Sequence, residues 1–170
     1  MRTSGEAEVQ SSDFRQAMRE LAGAISVVTV ADDQERTGFV ATSVSSFSAD
    51  PPRLIVCISR TSSSWSVLSR AGSFGVNFLR EADSPIASRF AGFGGVKGSD
   101  RYLGAEWEVL PSGVLVLKGA LASLECEVEE GLERHDHFII LGRVESIRVC
   151  DANDPLLWFK AQYRRLGDSI

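Results

Sequence analysis

His135 and His137 flank Asp136, and they are the only histidines in the chain. Serine acyl chemistry needs a base in reach of the nucleophile, and these are the two histidines available for it. No G-x-S-x-G elbow accompanies them; GSFG at Gly72 lacks the spacing. A His-Asp-His run offers two metal ligands two residues apart, which do not close a coordination sphere, and no H-E-x-x-H or third clustered ligand is present. No metal is therefore expected. His137 remains open as either a turn residue or a ligand contact at a barrel mouth. The glycine-rich stretch GFGGVKGSD (residues 92–100) also fails as a nucleotide motif. A dinucleotide fingerprint needs glycine where Lys97 stands and should follow a strand, and a P-loop needs Gly-Lys-Ser where the order is Lys97-Gly98-Ser99. It reads as a surface loop, or as a lid whose Lys97 or Arg101 touches an anionic ligand.

The most distinctive chemistry lies in ATSVSSFSADPP (residues 41–52), where hydroxyls crowd the approach to the apolar run LIVCI. On a regular strand Thr42, Val44 and Ser46 would face one way, and Ser43, Ser45 and Phe47 the other. Hydroxyls on both faces suggest a segment that has left the ladder, freeing its backbone groups. Small hydroxyls and free backbone donors can line a flat polar heterocycle. A serine-rich strand edge without a ligand gives the same pattern.

The elements that must position these residues read as mainly β. Asp13 caps an expected first helix with Phe14, Ala17, Met18 and Leu21 on one face, ended by Gly23. ISVVTVA (residues 25–31) is a strand, DDQER (32–36) a hairpin turn, and residues 37–48 the return. The Pro51-Pro52 pair should stop pairing before a strand over 53–59. Ser62 or Ser63 caps a short helix ended by Gly72, a strand follows over 74–79, and Pro85 opens another helix. In LASLECEVEE, Leu124, Cys126 and Val128 alternate with glutamates, which is a strand wet on one face. A turn near Gly131 leads to the last long strand, over 138–149, and the tail carries Trp158, Phe159, Tyr163 and Arg164. About six strands joined mostly by short turns favour a closed or partly closed antiparallel barrel over a doubly wound sheet.

The bulk properties agree with one domain over residues 13–170 behind a loose tail at 1–12: the chain has 170 residues and a net charge of −5. That charge argues against a nucleic-acid partner. No run is long enough to span a membrane, and the N-terminus lacks an apolar signal core. The three cysteines, Cys57, Cys126 and Cys150, have no CxxC spacing, as expected of reduced thiols in a cytoplasmic protein.

Taken in order, FRQAM, SVVTV, TGFVATSVSSFSADPPRLIVCISRTSSSW, FGVNFL, SRFAG, DRY, LASLECEV, DHFIILGRV and PLLWFKAQYRRL resemble the short-chain flavin reductase family, the reductase partners of two-component flavin-dependent monooxygenases. The resemblance covers residues 14–166, and it is shared more distantly with the pyridoxamine phosphate oxidase group. It implies a six-stranded antiparallel Greek-key split barrel with short flanking helices, and a homodimer. It implies that Thr42, Ser43, Val44, Ser45 and Ser46 embrace the isoalloxazine ring of FMN or FAD. Ser59, Ser62 and Ser63 would hold the ribityl chain and phosphate, where free N–H groups ahead of the helix could assist. Asn77 and Phe78 would flank the ring, with Arg89 and Lys97 as phosphate contacts. His137 would stand near flavin and nicotinamide, and Tyr163 and Arg164 would close the site. The family commonly has glycine where this chain has His135.

Hydride transfer from a nicotinamide to a flavin needs little acid–base help, which suits a chain without a visible dyad. No basic cluster for a 2′-phosphate stands out, so NADH is expected over NADPH. Scarce arginine between Thr37 and Ser59 suits a flavin that is released, by diffusion, to a separate monooxygenase. The alternatives are a split-barrel FMN enzyme acting on another substrate, or a flavin-binding redox module without turnover.

Overall fold

The computed structural model describes residues 9–151 and 154–167; most of the tail expected at residues 1–12 lies outside them. α1 (Ser11–Met18) starts before Asp13, with Gln10 at its N-cap, and buries none of its residues. Phe14 and Leu21 are 60% and 64% exposed, so the expected apolar face is left largely uncovered by the described residues. Gly23 does not cap α1; it opens β1 (Gly23–Ala24).

β2 (Ser26–Ala31) and β3 (Arg36–Ala41) form the expected hairpin. β4 (Ser45–Ala49) and β5 (Pro52–Ser59) form a second one. Here the prolines do not stop pairing: a cis Asp50–Pro51 bond makes the turn, and Pro52 pairs with Ala49. α2 (Trp65–Ala71) ends at Gly72, whose φ of 69° is the left-handed cap glycine tolerates. β6 (Ser73–Phe78), α3 (Ser84–Phe90) and short 3₁₀ turns over 93–102 follow. β7 (Trp107–Val109) and β8 (Leu115–Leu117) pair together. β9 (Ala122–Arg134) and β10 (His137–Val149) form a long hairpin. Its turn is His135-Asp136 rather than Gly131, and His135 takes φ 52°, the conformation glycine would adopt most readily. β11 (Leu156–Phe159) and β12 (Gln162–Arg165) form a tail hairpin that sequence patterning did not resolve, with β11 pairing to β1.

One seven-stranded antiparallel sheet runs β3-β2-β6-β9-β10-β5-β4. β2, β3 and β5 follow one another, and the chain returns through α2 to lay β6 beside β2, a Greek key. β3 and β5 lie alongside without pairing, so the barrel is split there. The six long strands match the expected count, with β4 an addition at the edge of β5.

Val28, Val30, Val56, Ile58, Phe74, Val76, Cys126 and Ile140 fill the interior with Val67 and Leu68 of α2. A second cluster packs Val27, Ile86, Phe90, Tyr102 and Leu117 outside β2. β2 is thus buried on both faces, and its sequence is a continuous apolar run for that reason. Gly38 allows the close approach: a Cβ there would lie 2.6 Å from Phe90 Cε1.

Candidate functional site

The hydroxyl stretch sits at the split. β3 ends at Ala41 and β4 begins at Ser45, and Thr42, Ser43 and Val44 pair with no strand. Ser43 Oγ accepts a hydrogen bond from Cys57 N at 3.1 Å and donates one to Cys57 O at 3.4 Å. A side chain thereby substitutes for a missing strand pair. Val44 packs on the interior core. The hydroxyls of Thr42 and Ser46 have no partner among the described residues, while Ser45 Oγ donates to Ser46 O at 3.3 Å. Phe47 occupies the irregularity between Ser46 and Ser48 and is 63% exposed.

β5 carries this edge toward the histidine. Its outward residues Ile55 and Cys57 are half-buried and stand opposite Leu141 and Ile139 of β10; Ser59 stands opposite His137. Directly opposed residues share a face, so His137 and Ser59 lie at one end of the same outer surface. His137 Nδ1 is 2.9 Å from Asp136 Oδ1, and that hydrogen bond is the main reason the Asp136 carboxyl lies below its ordinary range. Ser59 Oγ meets Thr61 Oγ1 at 3.0 Å, and Ser62 Oγ accepts Ser64 N at 3.3 Å. Ser63 keeps an uncommitted hydroxyl.

Ser63 and Lys97 are brought together. Both line an open trough of about 720 Å³ between the β2–β3 turn and residues 97–100. Arg89 reaches this region indirectly: it donates to the Asp100 carbonyl at 2.5 and 3.2 Å, holding the loop that carries Lys97. Arg101, named above as a possible anion contact, is buried instead. Its Nη1 donates to Gly38 O at 2.7 Å and also to Phe90 O, and desolvation lowers its pKa.

The two expected ring neighbours, Asn77 and Phe78, are placed differently. Asn77 is fully buried: Nδ2 donates to Val27 O at 3.2 Å, and Oδ1 accepts Leu117 N at 2.7 Å and Ser123 Oγ at 2.9 Å. One Nδ2 hydrogen is uncommitted, but full burial between the strands keeps it from a ligand; strand patterning gives the position without showing which neighbours use its amide. Phe78 packs on the interior core. Tyr163 and Arg164 line a separate hollow of about 400 Å³. Tyr163 OH meets Ser88 Oγ at 3.1 Å, and Arg164 donates to Gln162 at 2.7 Å; within one chain neither joins the serine edge. Sequence reasoning missed Arg36, which lines the trough. Its only signal is a basic residue closing an otherwise acidic turn, a pattern that a plain hairpin turn gives equally.

The arrangement offers small donors, unpaired backbone and one exposed imidazole along a continuous line from Thr42 to Ser63. Among the described residues no cluster of three metal-ligating side chains occurs. Comparison with known proteins identifies what the chain is similar to. A family model described as a flavin reductase like domain matches residues 18–167. The reductase subunit HsaB of a flavin-dependent monooxygenase from Rhodococcus jostii is 32% identical over 150 residues, 88% of this chain and 75% of its own. An FMN reductase (NADH), RutF 2, from Methylorubrum extorquens is 35% identical over 158 residues, 93% and 91% of the two chains. The solved NADH:FAD oxidoreductase SgcE6 of Streptomyces globisporus, in complex with NAD and FAD fragments, superposes with a TM-score of 0.84 at 26% identity, covering 95% of this chain and 98% of that one.

Proposed function

We propose a function for this chain from the premise that it belongs to the flavin reductase like domain family: it transfers hydride from NADH to FMN or FAD and releases the reduced flavin to a separate monooxygenase. The observation that carries this reading is the unpaired segment Thr42–Val44 at the barrel split, in a chain matched by the family over residues 18–167. The residues fit a flavin. Backbone groups outside the ladder and the free hydroxyls of Thr42 and Ser46 suit the polar edge of a flat ring. Ser63 and Lys97, at one end of the trough, suit its phosphate.

When bound, a flavin supplies the hydride-accepting chemistry itself. The chain holds the ring at the split, where Ser43 keeps the edge from closing into a sheet. Ser45 and Ser46 keep that side low, leaving room for a second ring. His137, at the end of the same surface, orients the nicotinamide and is in turn positioned by Asp136. Few cations line this edge, which suits release.

A homodimer is part of the proposal. Phe14 and Leu21 of α1 and Phe47 of β4 are open to solvent in the single chain, an apolar surface of the kind a second copy covers. No helix among the described residues is long and apolar enough to cross a membrane. A cytoplasmic location accords with three cysteines that form no disulfide.

The test is turnover. Purified protein with NADH and excess FMN or FAD should consume the near-ultraviolet absorbance of NADH over many cycles. A single bleaching of bound flavin would indicate a redox module, and activity only with an added organic acceptor would indicate a different split-barrel enzyme.

A further inference from the structure

β9 and β10 are joined by only two residues, His135 and Asp136. Two-residue hairpin turns favour glycine or asparagine because they need positive φ, and this turn has neither. His135 takes φ 52° with a full side chain, a conformation that persists where the surroundings enforce it. The turn is therefore held from outside itself.

One residue between β5 and α2 does the holding. Arg60 N donates to Asp136 O at 3.0 Å. Arg60 Nη1 donates to His135 O at 3.4 Å and pairs with Glu133 Oε1 at 2.9 Å. The segment that carries Arg60 is itself closed by the bond between Ser59 Oγ and Thr61 Oγ1. On the interior side Trp65 stacks on Phe138, with ring centroids 3.6 Å apart. That contact fixes the start of β10 and leaves the turn to Arg60.

His137 depends on this arrangement. Its Nδ1 lies 2.9 Å from Asp136 Oδ1, yet the carboxylate is 88% exposed and the imidazole 48%. An exposed pair of this kind is weak by itself. The carboxylate stays beside the ring because the backbone of Asp136 is fixed, and Arg60 bonds the carbonyls on both sides of the peptide that joins His135 to Asp136. We propose, resting on the reading of His137 as the nicotinamide contact, that Arg60 is a positioning residue for hydride transfer. It touches neither ring and acts by presenting the Asp136–His137 pair in one orientation.

The test is steady-state kinetics of the full chain with varied NADH and saturating FMN, for wild type, Arg60→Ala, Arg60→Lys, His137→Ala and the Arg60→Ala/His137→Ala double variant. Flavin titration and thermal melts accompany each. Arg60→Ala keeps the backbone bond to Asp136 and should lower kcat/KM for NADH about three- to fivefold, the scale of one exposed charged contact. Flavin Kd and Tm should stay nearly unchanged. Arg60→Lys, which can still reach Glu133 and the His135 carbonyl, should recover most of the loss. In the His137→Ala background the Arg60 substitution should change kcat/KM by less than about 1.5-fold, because its route of action is gone. The same loss in both backgrounds overturns the proposal by making Arg60 independent of His137. No loss in Arg60→Ala, or an equal weakening of flavin Kd, also overturns it, while a large loss in His137→Ala leaves the reading of that histidine standing. If His137→Ala keeps the wild-type kcat/KM, the reading of His137 fails, and the role of Arg60 with it.

Discussion

Replacing Asn77 with alanine separates a framework role from a ligand role. The amide ties four strands: it sits on β6, donates to β2 through Val27 O, and accepts from Leu117 N of β8 and Ser123 Oγ of β9. Alanine removes these three hydrogen bonds and leaves their partners buried. At about 1 kcal/mol for each bond the loss is about 3 kcal/mol, and unsatisfied donors with no water in reach push it higher. For a chain of this size each kcal/mol lowers Tm by roughly 2–4 °C, so Asn77→Ala should melt about 6–12 °C lower. Urea unfolding monitored by tryptophan fluorescence gives the free energy, and flavin titration well below the transition gives the Kd of the folded fraction. A lower urea midpoint with an unchanged Kd supports the framework assignment. A Tm within a degree or two of wild type, together with a Kd weakened about tenfold or more, would refute it and return Asn77 to the ring.

Other perturbations test the site and its supports. His137→Ala should lower kcat/KM for NADH about tenfold, the scale of one lost contact, with flavin Kd nearly unchanged in the same titration. Asp32 is held below its ordinary pKa of 3.8, first by the Glu35 amide and then by that of Gln34. Its stabilisation is complete above that pH and is lost as pH falls through the lower native value, so the difference in urea midpoint between wild type and Asp32→Asn should close on acidification. Burial pushes the Cys126 thiol from 9.0 up to about 12. The unfolded chain ionises first, so stability should fall as pH rises across that window. A thiol reagent at neutral pH should label exposed Cys150 and spare Cys126 until urea unfolds the chain.

The strands were legible where one interaction set their pattern. β9 alternates because one face is wet, and β2 is uniformly apolar because both faces are covered. The hairpin at Asp32 was legible from its turn residues. The tail hairpin was not: β11 and β12 turn through Lys160 and Ala161, both at positive φ, residues that carry no turn signal. The β4–β5 turn was misread because proline normally ends pairing, and here it forms the corner itself. α1 keeps an amphipathic pattern, yet none of its residues is buried among the described residues. Among site residues, positions survived better than roles. Asn77, Phe78 and Arg89 stand on the expected elements, yet Asn77 is committed to strands distant in sequence and Arg89 to the Asp100 carbonyl, partners that no local pattern reveals.

The density of hydroxyls at residues 42–46 follows from the split. A barrel strand that leaves its neighbour exposes backbone groups that must be satisfied in some other way. Ser43 satisfies Cys57 from the side and so holds the gap open instead of zipping it. A bulky apolar residue there would leave the Cys57 amide unmet, and a full strand pair would remove the unpaired backbone. Serine is short enough to reach across and small enough to leave the margin uncovered, while Thr42 and Ser46 remain free beside it. The residue that keeps the barrel incomplete therefore leaves open the edge proposed for the flavin, and bonded and free hydroxyls are interleaved in one segment. Ser43→Val tests this coupling: it should weaken flavin binding through altered edge geometry even though Ser43 Oγ is occupied by Cys57. Ser43→Thr, which keeps the hydroxyl, should restore binding. Equal Kd values for wild type and Ser43→Val would show that the edge holds its shape without the bridge.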